Sequence, residues 1–158
     1  MRELRVVGIG QIAVGHAPEQ IACLGLGSCV AVILYDPLSK IGGLVHVLLP
    51  KAPNPCTIEE KYADTGTKKL LNELIAWGAK KEKIVAKLVG GAQMFPNLNL
   101  SIADIGKHNC WEARRTLRQL GIHVVAHDTE GNRGRSAYLD TETGRVRVDT
   151  AFAPTKVI

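Results

Sequence analysis

The chain has 158 residues, 46% of them hydrophobic and 22% charged, with a formal net charge of +5. A chain of this length buries roughly 68–70% of its unfolded surface and folds without disulfide staples, so residues 1–158 read as a single domain. No run reaches transmembrane length, charge interrupts the opening MRELRVVGIG where a secretory signal would be apolar, and 4% aromatic residues leave little for base stacking on nucleic acid.

Short β-like runs open the chain at Leu4 to Val7, Ile12 to Val14 and Ile21 to Leu24. Val30 to Tyr35 is apolar at every position, the pattern of a strand covered on both faces. Asp36-Pro37-Leu38-Ser39 fits a type I turn, and Ile41 to Leu49 returns as the second strand of a hairpin before Pro50 to Pro55 stops it. Thr57 with Glu60 three residues later predicts a capping box. The helix it introduces runs to about Trp77, with Ala63, Thr67, Leu70, Leu71 and Leu74 inward and Gly78 as its stop. Lys83 to Val89 reads as a strand leading into Gly90-Gly91-Ala92. Gly106 to Leu120 is a second helix, buried along Gly106, Cys110, Ala113, Leu117 and Leu120. Ile122 to His127 is a strand, 131–135 (GNRGR) a loop, and Ser136 to Leu139 with Arg145 to Val148 a final hairpin. The pattern is a mixed α/β unit rich in short strands.

The four cysteines, Cys23, Cys29, Cys56 and Cys110, include no CxxC pair, and free thiols in a reducing cytoplasm are expected. Cys29 and His46 form the constellation that carries chemistry. If Asp36 to Ser39 is a four-residue loop, Tyr35 pairs with Lys40 and Cys29 falls directly opposite His46. Directly opposed residues hold their Cβ atoms about 4.5–5.5 Å apart, and a slip of one residue would separate them onto opposite faces. By spacing alone, a small buried Cys and a satisfied core His fit as well as an active pair. The glycines favour the active pair: Gly25 and Gly27 let the backbone bend just before the thiol, and Gly27, Ser28 and Cys29 could offer amides to an oxyanion. A protonated imidazole beside Cys29 would lower its pKa, so if any thiol is activated, Cys29 is expected to label well below pH 8.5. The chemistry is acyl transfer through a thioester.

His123 and His127 on one side of a strand would lie about 13 Å apart, too far for one ion, so no metal and no cofactor is expected. Gly90-Gly91 lacks the Lys-Ser/Thr of a P-loop. The positive balance reads as a solvated surface that would steer an acidic protein partner.

LGLGSCV (24–30), GGLVHVLLP (42–50), KYADTG (61–66), GGAQMF (90–95), IGKHN (105–109) and GNRGRS (131–136) together resemble the CheD family of bacterial chemotaxis proteins, in order along essentially the whole chain. The resemblance implies a cytoplasmic protein-glutamine deamidase that converts chemoreceptor Gln side chains to Glu. It implies an α+β fold, a mixed β-sandwich with helices packed outside, shared with the cytotoxic necrotising factor cysteine hydrolases. By motif, Cys29 is the nucleophile and His46 the general base and acid; Asn132, Arg133 and Arg135 become candidates for substrate or partner contact. The partners implied are chemoreceptors and a CheC-type phosphatase. The family's third catalytic position, a threonine, is Cys23 here. If the hydroxyl orients His46, this chain is impaired and is mainly a regulatory binding module. If the backbone carbonyl of that residue orients it, Cys23 is harmless. A Cys23–Cys29 disulfide and a different thiol hydrolase, such as a peptidase, are the remaining alternatives.

Overall fold

The computed structural model describes residues 3–94 and 104–158. In chain order the elements are β1 (Leu4–Val6), β2 (Ile12–His16), β3 (Gln20–Leu26), β4 (Val30–Asp36), β5 (Ile41–Val47), α1 (Ala63–Ala76), β6 (Val85–Gly90), α2 (Ile105–Leu120), β7 (Val124–Thr129), β8 (Arg135–Asp140), β9 (Val146–Thr150) and β10 (Lys156–Val157). Among the described residues the strands form two five-stranded sheets, β1-β3-β8-β9-β10 and β2-β5-β4-β6-β7.

The alternation along β4 explains the layering. Val30, Val32 and Leu34 join a core with Leu70, Leu71 and Leu74 of α1 and with Cys110, Ala113 and Leu117 of α2. Ala31 and Ile33 face the other way, into a core shared with Ile21, Cys23 and Leu26 of β3 and with Ala137, Leu139, Val146 and Val148 of the far hairpin. The order of layers is helices, inner sheet, outer sheet, so this is the expected α+β sandwich with helices outside. A strand apolar at every position is what a middle layer demands.

Two local expectations need correction. The β4–β5 register is Asp36↔Ile41 and Ala31↔His46, so Cys29 is not directly opposite His46. Asp36 stays in the strand because its carboxylate accepts the amides of Leu38 and Ser39 at 2.9 and 3.3 Å, and its carbonyl accepts the Lys40 amide at 2.9 Å. Lys40, at φ 55°, completes a turn over Pro37 to Lys40. The shift is by two residues, which preserves the face.

The first long helix starts at Ala63, not near Thr57. Tyr62 is extended (φ −114°, ψ 144°) and bridges Leu49, while a single 3₁₀ turn, Glu59–Lys61, takes the place of the expected first turn. The Leu48 and Leu49 amides both reach the Lys61 carbonyl, at 2.8 and 3.1 Å. This tether holds the chain extended where a capping box would have curled it. Glu60 meets Lys69 instead. β10, too short for any periodicity, closes the outer sheet against β9.

Candidate active site

The site forms where β3 leaves its sheet and β4 begins. β3 pairs regularly with β8 as far as Cys23, then shifts register before Leu26. Gly25 sits in this bulge at φ +65°, a conformation that favours glycine. The bend therefore falls where the glycines predicted it. Beyond it every carbonyl is held from another element. The Ala92 amide donates to Gly27 at 2.9 Å, the Gly91 amide to Cys29 at 2.8 Å, and the Asn109 side chain to Ser28 at 2.9 Å. These three contacts fix the loop that presents Cys29.

His46 points from β5 into the inter-sheet space, on the face opposite to Val45 and Val47, which pack on the helices. Cys29, two residues before Ala31 in β4, lies diagonally across from it on the same face. Diagonal neighbours across a pair of strands remain within reach of long or aromatic side chains. His46 Nδ1 lies 3.2 Å from the Val7 carbonyl. A carbonyl can only accept, so Nδ1 carries the ring proton and Nε2 keeps its lone pair. Nε2 is buried and has no partner among the described residues. A buried ring nitrogen with its lone pair free is a proton acceptor.

The Cys23 thiol approaches the same Val7 carbonyl at 3.6 Å. Neither Cys23's side chain nor its own carbonyl holds the imidazole. Both sequence-level alternatives are thus replaced by a third: the group behind the ring belongs to residue 7. No disulfide joins Cys23 and Cys29.

Burial governs the protonation of these groups. It pushes the Cys29 thiol above its ordinary value, with the Cys29 amide opposing, and the Cys23 thiol further up. It pushes His46 down, against the Val7 bond that favours the protonated ring. Both directions favour a neutral thiol and a neutral imidazole over the expected thiolate beside a cation.

Asn109 and Val7 complete the site, and the sequence reading singled out neither. Asn109 is fully buried on the inner face of α2, and its Nδ2 donates to the carbonyls of Ser28 at 2.9 Å and Leu48 at 3.0 Å. It ties the loop that carries Cys29 to the chain just beyond His46. Its place beside the apolar stripe of α2, between Gly106 and Cys110, was the available signal. The Val7 carbonyl has no sequence signal, because every residue has one.

Of the second-tier candidates, the two arginines have partners within the fold. Arg135 is buried and donates to the Asp128 carboxylate at 2.8 Å and to its carbonyl at 2.7 Å. Exposed Arg133 donates to the Phe152 carbonyl at 3.1 Å, and Asn132 is exposed. Gly25, Gly27, Met94, Arg135 and Asp149 line a recess of about 400 Å³ beside the loop. Phe95, the last residue of the GGAQMF motif, lies outside the described residues. Among the described residues no group of His, Cys, Asp and Glu is placed to hold a metal ion, and no helix is long and apolar enough to cross a membrane.

Comparison with known proteins first places the chain among chemotaxis proteins: the family model described as CheD chemotactic sensory transduction matches residues 48–150. The probable chemoreceptor glutamine deamidase CheD of Pyrococcus horikoshii is 49% identical over 154 residues, covering 94% of this chain and 92% of its own. The chemoreceptor glutamine deamidase CheD of Thermotoga maritima is 44% identical over 144 residues, covering 91% and 90%. The chain belongs to the CheD family. Among solved structures, that of Neisseria meningitidis protein NMB0706 has a TM-score of 0.47 at 12% identity, covering 85% of this chain and 74% of its own, too loose a likeness to argue from.

Proposed function

We propose that this CheD-family protein deamidates glutamine side chains of chemoreceptors in the cytoplasm, with Cys29 as nucleophile and His46 as the proton carrier. The observation that carries the mechanism is the His46 ring itself, fixed by the Val7 carbonyl with Nε2 buried and free. As sulfur attacks the glutamine side-chain carbonyl carbon, Nε2 takes the thiol proton, so thiolate need never accumulate. The negative charge moves to the carbonyl oxygen, where amides of the loop at Gly27 to Cys29 would receive it. His46 returns its proton to nitrogen, ammonia leaves, and a thioester remains. Water, deprotonated by Nε2, attacks that thioester; the products are glutamate and the restored thiol. The Val7 carbonyl steadies the transient imidazolium in both halves of the cycle.

Receptor fragments incubated with the protein should show specific Gln-to-Glu conversion by mass spectrometry. Cys29→Ala should abolish it, and conversion at the wild-type rate by that variant would overturn the mechanism. Purely regulatory action rested on Cys23 being the orienting group. With the Val7 carbonyl in that place, Cys23→Thr should leave the turnover within about twofold, since no charge-bearing contact changes. Binding of a CheC-type phosphatase is part of the same reading, tested by co-purification of the two proteins.

A further inference from the structure

The outer face of α2 has a composition that helix stability does not explain. Its exposed residues are Lys107, His108, Trp111, Arg115, Arg118 and Gln119, with Arg114 half-buried at the margin. Lys107 sits in the first turn, where the helix dipole disfavours a cation. Arg114 and Arg118 are four apart and Arg115 and Arg118 three apart, spacings at which like charges weaken a helix. The helix's one acid, Glu112, is buried and reaches Arg115 at 3.5 Å. Arg114 and Arg118 have no ion-pair partner among the described residues. Within this cationic field Trp111 stands 62% exposed, with the Arg115 guanidinium 5.7 Å from its ring centroid. At the end of the helix Arg114, Arg118 and His123 line a recess of about 350 Å³, whose other walls are Gly121, Ile122 and Val124.

We infer that this face docks a protein partner through a carboxylate-rich surface, with Trp111 as the central anchor and the Arg114–Arg118–His123 recess receiving Asp or Glu side chains. Charge complementarity selects the occupant: arginine forks match carboxylates two bonds at a time, and no acid lines the recess. Exposed Trp and Arg are the residue types that dominate binding energy at protein interfaces. A nucleic acid would call for further aromatic platforms around the cations, and a bilayer for an apolar face wider than one indole. The surface lies on the helical layer and does not include the Cys29 site, so it stands whether or not the deamidase reading does.

The test uses the full chain in a Trp77→Phe background, so that Trp111 alone reports. An Ala/Glu helical peptide is titrated in, following indole emission and the anisotropy of labelled peptide. Saturable binding is expected, weakened about tenfold or more by Arg114→Glu/Arg118→Glu and by Trp111→Ala. Arg145→Glu/Arg147→Glu, the same charge change on the outer sheet at the opposite side, should leave it unchanged. If reversal perturbs the melting temperature, Arg114→Gln/Arg118→Gln replaces it and should keep the ranking. Equal weakening by the two pairs, no saturable binding, or tighter binding of duplex DNA or phosphatidylserine vesicles at matched ionic strength would each overturn the inference.

Discussion

Burial moves the two groups proposed to react, Cys29 and His46, in opposite directions, and the pH behaviour follows. His46 must be neutral to accept a proton, and its pKa lies below the ordinary 6.5. The acid limb of kcat/KM on receptor fragments should therefore have its midpoint below 6.5; a midpoint above it would contradict the assignment. Cys29 lies above the ordinary 9.0. Its chloroacetamide labelling rate should still be rising at pH 9.0, whereas a plateau below that pH would reveal a thiolate–imidazolium pair at rest. His46→Gln should lower turnover about 10²–10⁴-fold, the usual worth of a positioned proton carrier. At this scale the sequence placed a thiol and an imidazole on one face and was silent about protonation. Cys29 and His46 stand out because a thiol and an imidazole share a face under either register. The directions of their shifts depend on how deeply two sheets bury them, and no local pattern encodes that.

Among the elements, the junction of α2 with the turn after β6 holds the loop that carries Cys29. Gly90 is at φ +111°, and a Cβ there would overlap the Cys29 carbonyl oxygen. Gly90→Ala should destabilise the protein by about 2–4 kcal/mol, as backbone strain and overpacking add. Denaturant unfolding would check it, and an unchanged midpoint would mean the turn can yield. Asn109→Ala should act on catalysis beyond its effect on folding. It orphans two carbonyls, at about 1–3 kcal/mol each, and frees the loop; an ångström of misplacement costs about 10²-fold in turnover. The expected signature is a fall in kcat with KM unchanged, measured well below the variant's melting temperature. A kcat that matches wild type would reduce Asn109 to a packing residue. The elements themselves were largely legible, since β4, α2 and the β8–β9 hairpin follow their hydrophobic periods. The start of α1 was not, because Leu49 and Lys61 hold Tyr62 extended against a local capping signal.

For the molecule as a whole, buried thiols set an alkaline limit. Cys110, packed between α2 and the inner sheet, is pushed up to about 11 from 9.0, mainly by burial. Unfolding lets it ionise at its ordinary value, so the unfolded chain holds fewer protons than the folded one between these pH values. Its contribution is full below pH 9.0 and is lost as pH rises towards 11, by about 2–3 kcal/mol. Chemical denaturation across that window should show the decline. Cys110→Ala should flatten part of it while lowering stability at neutral pH through the small cavity left. A slope unchanged by that variant would exclude the thiol as its cause. The layered architecture was foreseeable from one strand apolar throughout and two one-sided helices. The pairing of β1 beside β3, which delivers Val7 to the site, links segments whose local patterns say nothing of each other.

That last contact has an evolutionary corollary. The acceptor behind His46 is a main-chain oxygen, so no codon change at position 7 deletes it. Apolar replacements of Val7 should pass through a saturation library with activity intact, subject only to the fit of a buried side chain. What heredity must protect is the docking of β1, including the 2.7 Å bond from the Val7 amide to the Ala22 carbonyl. An alignment column for residue 7 can therefore drift among aliphatic letters while the catalytic geometry stays constant, and a search by residue identity would pass over it.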